Sequence, residues 1–265
     1  MNLLKKELAP LTEAAWKEIT ECVNSVKKNY LTARKVVDID GPHGMNHAAA
    51  STGRLALPRT SKKDGVNYGI REVLPLIEVR KPFELDIWEL DNIERGAMDI
   101  DLDTLEEATR QIAGFEENVV YKGLKSVGIK GLENSTFYPV ALMGDKVENV
   151  LRLIGEQVNK LRANNVEGPY SMVMTEKLWL EIINISHGYP VISRLKDILG
   201  GQVIVNDHTD KSYLLSERGG DYELTLGQDL SVGYDSHTSK KVKLFLTESF
   251  TFRVLSPEAV IVFSG

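Results

Sequence analysis

From Ile77 to Ile87 the chain alternates: Ile77, Val79, Phe83, Leu85 and Ile87 take the odd positions, and Glu78, Arg80, Glu84 and Asp86 the even ones, with Lys81 the one lapse on the apolar side. A period of two sustained over this length prescribes a long half-buried β-strand with one charged face. Such a strand turns one face toward the core. By the same parity Trp88 falls on the face of Arg80, Glu84 and Asp86, an indole placed among charges.

Two amphipathic segments can supply the cover. Trp16, Ile19, Val23, Val26 and Tyr30 recur at three- and four-residue steps after Thr12, and Leu105, Ala108, Ile112, Phe115 and Val119 do the same over residues 103–122. Thr104 and Glu107 have capping-box spacing at the start of the second helix. Gly123, Gly128 and Gly131 then loosen the chain and mark a domain boundary, and a third helix is expected over 145–161.

Residues 45–75 hold few core-like positions. Two strand-like pieces, at 54–57 and 66–72, flank Lys62-Lys63-Asp64-Gly65, whose Asp-Gly pair suits a hairpin turn. A two-stranded ribbon this polar is marginal alone and must lie on a neighbour. Beyond residue 132 strand and helix alternate: a strand at 170–174, a helix at 175–185, the loop His187-Gly188-Tyr189-Pro190, a short helix closed by Gly200-Gly201, and strands at 202–205 and 212–216. After the turn at Gly219-Gly220 strands are expected at 222–226, 241–255 and 259–263, completing an α+β protein.

No familiar catalytic pattern appears. His43 and His47 are the only histidines spaced as two ligands, without a third donor beside them, so no metal site is expected. Ser216 and Ser231 stand near Asp221 and Asp229 but in no G-x-S-x-G elbow, and phosphate-cradling glycine loops are absent. The net charge of −6 points away from nucleic acid, and no run approaches the roughly 20 apolar residues of a membrane span. A lone cysteine, and an opening M-N-L-L-K-K-E-L without a signal-peptide pattern, lead to the expectation of a cytoplasmic protein.

Six ordered runs resemble the encapsulins, shell proteins that share the tailed-phage capsid fold: L-A-P-L-T-E-A-A-W, A-R-K-V-V-D-I-D-G-P-H-G, L-P-L-I-E-V-R, W-E-L-D-N-I-E-R-G, E-G-P-Y and S-E-R-G-G-D with L-G-Q-D-L-S-V-G-Y. The resemblance implies an HK97-type fold: residues 1–48 as the N-terminal helix and start of the P-domain, 49–72 as the extended E-loop, 73–131 as the P-domain strand and spine helix, 132–218 as the A-domain and 219–265 as P-domain return strands. It implies a self-assembling icosahedral shell of sixty copies or a larger multiple, with no enzymatic activity of its own. The shell would enclose a cargo, a ferritin-like protein or a dye-decolourising peroxidase, so iron storage or defence against oxidative stress would belong to the guest.

On this map the cargo's C-terminal targeting peptide binds Leu31, Arg34, Val37 and Asp38 together with Asp229, Leu230, Ser231 and Val232. His187, Gly188, Tyr189 and Pro190 line a five-fold pore for ions and small molecules. No cofactor is required, although some members place flavin (FMN) at the position of Trp88, with Arg80 near; packing of Trp88 against another subunit is the preferred reading, since aromatics are enriched at interfaces. The alternatives are a prophage major capsid protein, or a secreted hydrolase or bacteriocin.

Overall fold

The structure, a computed structural model, describes residues 3–58, 62–143, 149–183 and 191–264. The alternating segment forms β6 (Ile77–Asp86), antiparallel to β13 (Lys241–Val254) in a register that runs from Ile77 opposite Phe250 to Asp86 opposite Lys241. The other edge of β13 carries β12 (Ser231–His237) and then β11 (Tyr222–Leu226), and β1 (Asp38–Asp40) adds parallel to β11. Over this sheet lie α1 (Glu13–Tyr30) and α3 (Asp103–Lys122), whose Ile19, Val23, Leu105, Ala108 and Ile112 interlock with Phe83, Leu85, Val232 and Leu244.

Thr12 caps α1 by accepting the Ala15 amide at 3.1 Å. The capping box expected for α3 does not form. The helix starts at Asp103, which puts Thr104 inside the first turn, where its hydroxyl donates to the Glu84 carbonyl of β6 at 2.7 Å; Glu107 instead accepts from Gln111. Trp88 is likewise off its expected strand: Asp86 accepts the Trp88 amide at 2.8 Å, and this cap turns the chain into α2 (Ile87–Glu94), so strand parity ends one residue before the indole.

A second sheet has the order β7 (Ala141–Leu142), β14 (Val260–Ser264), β10 (Lys211–Ser216), β8 (Tyr170–Thr175), β9 (Gly200–Asn206). It packs with α5 (Val150–Ala163), α6 (Glu176–Ile183) and α7 (Val191–Leu199), while the short α4 (Leu132–Ser135) meets β14. The expected partition of 219–265 is corrected here: β14 does not return to the first sheet but pairs with β10 and β7 in the second. Val260–Phe263 are all buried, a run that suits a strand covered on both faces. At the junction Gly123, with φ 79°, approaches so closely that a Cβ there would lie 2.6 Å from the Gly131 nitrogen.

Residues 49–75 project as a ribbon of β2 (Ala49–Ala56) against β5 (Ile70–Pro75), tipped by β3 (Lys62–Lys63) and β4 (Val66–Asn67). Asp64 and Gly65 both take positive φ, 51° and 81°, as a two-residue hairpin turn requires.

Candidate functional site

After Tyr30 the chain leaves α1 through a 3-10 turn at Ala33–Lys35 and enters β1 at Asp38. The turn is pinned by two consecutive glutamates of α3, Glu116 and Glu117, both fully buried. Arg34 grips Glu116 with two donors, Nε at 2.7 Å and Nη2 at 2.5 Å, and also donates to Asp229 at 2.8 Å and Glu248 at 2.5 Å. Lys27, near the end of α1, donates to the other Asp229 oxygen at 2.5 Å.

Burial opposes the charge on Arg34, but the three carboxylates outweigh it and hold the guanidinium ionised. Burial likewise works to raise Asp229, yet Arg34 and Lys27 keep it below the ordinary carboxylate range. Glu248 goes the other way: burial, and then the adjacent Glu116, lift it well above its ordinary value. Two cations, Lys27 and Arg34, thus meet three carboxyl groups, Glu116, Asp229 and Glu248.

The structure therefore brings Arg34 and Asp229 together, as the docking reading required, but turns their charges inward. Leu31, Val37, Leu230 and Val232 are at most 9% exposed and belong to the interior. Asp229 also accepts the Leu230 amide, and Ser231 donates to the Asp229 carbonyl at 2.7 Å. Arg34 spends its donors on these carboxyls of its own chain and has no fork left for a peptide carboxylate. Asp38 remains exposed, its carboxylate holding the Gly220 amide at 2.6 Å.

Beside it opens a cleft of about 290 Å³ between the two sheets, lined by Lys35, Val37, Asp38, Gln202, Glu217 and Tyr222 among others. Glu217 Oε1 is buried there without a hydrogen-bond donor. Sequence reasoning missed Gln202 and Glu217 as well as the glutamate pair. Glu116 was detectable, because it falls four residues after Ile112, on the stripe of α3 that faces the core.

The remaining expected sites divide. His187–Pro190 lie outside the described residues. Trp88 is 69% exposed, but Arg80 lies over the Phe245 ring at 4.2 Å and bonds Glu78. Six residues of extended strand, about 20 Å at ~3.3 Å each, separate Arg80 from Asp86. Trp88 and Arg80 thus stand apart, the indole on α2 and the guanidinium on β6.

The His43 and His47 rings meet tilted by 38° with centroids 4.6 Å apart, and His43 pairs with Asp40 at 2.9 Å. Among the described residues no group of three or more His, Cys, Asp or Glu is arranged to hold a metal. Ser216 spends its hydroxyl on the Glu167 carbonyl, as Ser231 does on that of Asp229.

Two surfaces stand apart. The ribbon exposes Leu55, Leu57, Val66, Ile70 and Val73, each more than half accessible. Over 49–75 the sequence has five basic and two acidic residues, whereas 84–107 has ten acidic and one basic. Within that acidic stretch Trp88 and Met98 stand exposed.

Over residues 1–251 the chain matches the family described as encapsulating protein for peroxidase. It is 36% identical to the type 1 encapsulin shell protein of Mycolicibacterium paratuberculosis over 98% of both chains. To that of Rhodococcus erythropolis it is 37% identical over 98% of this chain and 99% of the relative. More distant relatives are a diheme-cytochrome-encapsulin shell fusion protein of Kuenenia stuttgartiensis, 22% identical over 92% of this chain and 71% of the relative, and a ferritin-like-encapsulin shell fusion protein of Pyrococcus furiosus, 24% identical over 76% and 56%.

In three dimensions the chain superposes on a virus-like particle from Pyrococcus furiosus with TM-score 0.62 at 19% identity, covering 93% of this chain and 100% of that one. On the capsid of Myoviridae phage XM1 the score is 0.60 at 14% identity, with 89% and 92% covered. The fold is accordingly the HK97 capsid type. With matches that run nearly end to end, the chain belongs to the encapsulin family of shell proteins.

Proposed function

We propose that this chain builds the wall of a closed icosahedral compartment and does no bond chemistry of its own. The observation that carries the reading is the ribbon: five large apolar side chains on an element with no core to share are stable only against another molecule. The acidic stretch 84–107 of a second copy, with Trp88 and Met98 as apolar anchors, matches the basic, apolar ribbon in both charge and character. Each contact is small, and closed symmetry repeats it until the particle is stable.

Inside this wall a guest would be held by a short C-terminal peptide seated in the cleft at Lys35–Asp38 and Glu217, where exposed charge is available, rather than on Arg34. The fusion relatives support a ferritin-like or other redox guest, and the family description supports a peroxidase. Oxidation or iron storage then belongs to the guest, the compartment works in the cytoplasm, and openings at the symmetry axes pass ions and small molecules. A flavin at Trp88 would need its second wall from a neighbouring copy. Electron microscopy of the purified protein tests the reading: closed particles of uniform diameter are expected, and a monomer at every concentration overturns it.

A further inference from the structure

Glu117 sits where three segments meet. Its Oε1 accepts the Ala33 amide of the turn after α1 at 2.8 Å; its Oε2 accepts the Thr32 hydroxyl at 2.5 Å and the Asn206 side-chain amide of β9 at 2.9 Å. The Thr32 hydroxyl is itself met by Asn206 at 2.7 Å and by the Tyr121 hydroxyl at 3.1 Å. Every partner of this buried carboxyl is neutral. The nearest cation, Arg34, is committed to Glu116, Asp229 and Glu248.

We propose that the Glu117 carboxyl is a proton-operated clasp, which in its neutral form seats the end of α1 and the Thr32–Arg34 turn on the body and in its ionised form loosens them. A neutral carboxyl satisfies the site: Oε1 keeps the Ala33 amide, and an Oε2 proton can be donated to the Thr32 oxygen, whose own proton turns to Tyr121. An ionised one is a buried charge with no counter-charge and with Glu116 beside it, a costly state. Burial, resisted by the hydrogen bonds of Thr32 and Ala33 and aided by Glu116, accordingly lifts Glu117 to about 7.

When the turn lifts away, water reaches the carboxyl and its ordinary value of 4.5 returns, so closing takes up a proton. A raised carboxyl adds hold below about pH 4.5 in full and loses it as the pH climbs through 7. Between pH 6 and 8 the loss is about tenfold in the closing equilibrium. Lys35 to Asp38 continue from the turn into the cleft, so the same proton sets how firmly one wall of the cleft is held.

The other groups that face the clasp are Glu116 and Tyr121 on α3; Arg34 on the turn, which carries Asp229, Glu248 and Lys27; and Tyr213 on β10, stacked on Tyr121 and bonded to Glu133, itself paired with Lys211. His208 follows β9, gives its amide to Asn206, stacks its ring on Tyr30 and lies 3.2 Å from Asp207. Hydrogen exchange of the purified full-length protein at pH 6 and pH 8, corrected for intrinsic rates, separates them. Peptides covering 13–34 should lose about tenfold protection relative to β8, and Glu117→Gln should abolish the difference.

A slope that survives Glu117→Gln comes from another group and overturns the clasp, as does an equal loss in β8. Should that variant fail to fold, Thr32→Val, which strips a donor from the anion, should move the midpoint of the exchange profile to higher pH; an unmoved midpoint overturns the assignment.

Discussion

At the scale of single residues, the cluster under the turn shows how a charge can be recognisable in sequence while its role is not. Arg34 stands among apolar neighbours, a pattern shared by ligand-binding arginines and by arginines that hold a fold together; only the position of Glu116 on the buried stripe of α3 distinguishes them. Because Arg34 neutralises a buried anion, Arg34→Met should destabilise the protein by about 3–5 kcal/mol, the usual cost of stranding one partner of a buried pair. Chemical denaturation reads this directly, and a loss under about 1 kcal/mol would mean the cluster is hydrated. The same logic separates fold from docking. Charged substitutions at Leu31 or Val37 would strike the interior, whereas Lys35→Glu with Asp38→Lys leaves it intact and should cut co-purification of the guest several-fold with particle yield unchanged. Undiminished guest in those particles would place the docking site elsewhere.

At the scale of elements, legibility followed period. β6 could be read because one face is solvated and the other is not, and α1 and α3 because their stripes face a sheet. Trp88 was misplaced because parity does not register the Asp86 cap that converts strand to helix within two residues. β14 was assigned to the wrong sheet because a run buried on both faces carries no sign of which partners bury it. β12 was hidden among glycines that suggested turns; Gly233 lies in it because the Phe245 ring of β13 occupies the space a side chain would need. The ribbon was legible by its lack of core, which yields an element-scale prediction. Leu55→Ser with Ile70→Ser removes apolar area that is more than half exposed in its own chain, so the isolated subunit should melt within a degree or two of the parent while particle formation is lost. A fall of several degrees in the unassembled protein would show that the ribbon packs on its own body.

At the scale of the whole molecule, the charge distribution is lopsided in a way that net charge conceals. The chain carries −6 overall, but 49–75 sums to +3 and 84–107 to −9, from five basic against two acidic residues and one basic against ten acidic. Such separation within one chain leaves two patches that attract each other only between copies if the ribbon projects away from its own acidic stretch. Net repulsion between copies acts at distances where ions screen it within about 8 Å at physiological salt, whereas pairs in contact are screened much less. Contact should therefore decide assembly. Lys62→Glu with Lys63→Glu replaces two attractions by two repulsions, each worth up to about 1 kcal/mol, so the concentration at which particles appear should rise by a factor of order ten or more. Combining that pair with Asp99→Lys and Asp101→Lys should bring the threshold back toward the parent value, because a symmetric shell meets each reversed patch with the other. Light scattering against protein concentration measures all three. If the combined variant assembles no better than the first, the ribbon docks on some other face of its neighbour and the acidic stretch serves only to keep finished particles apart.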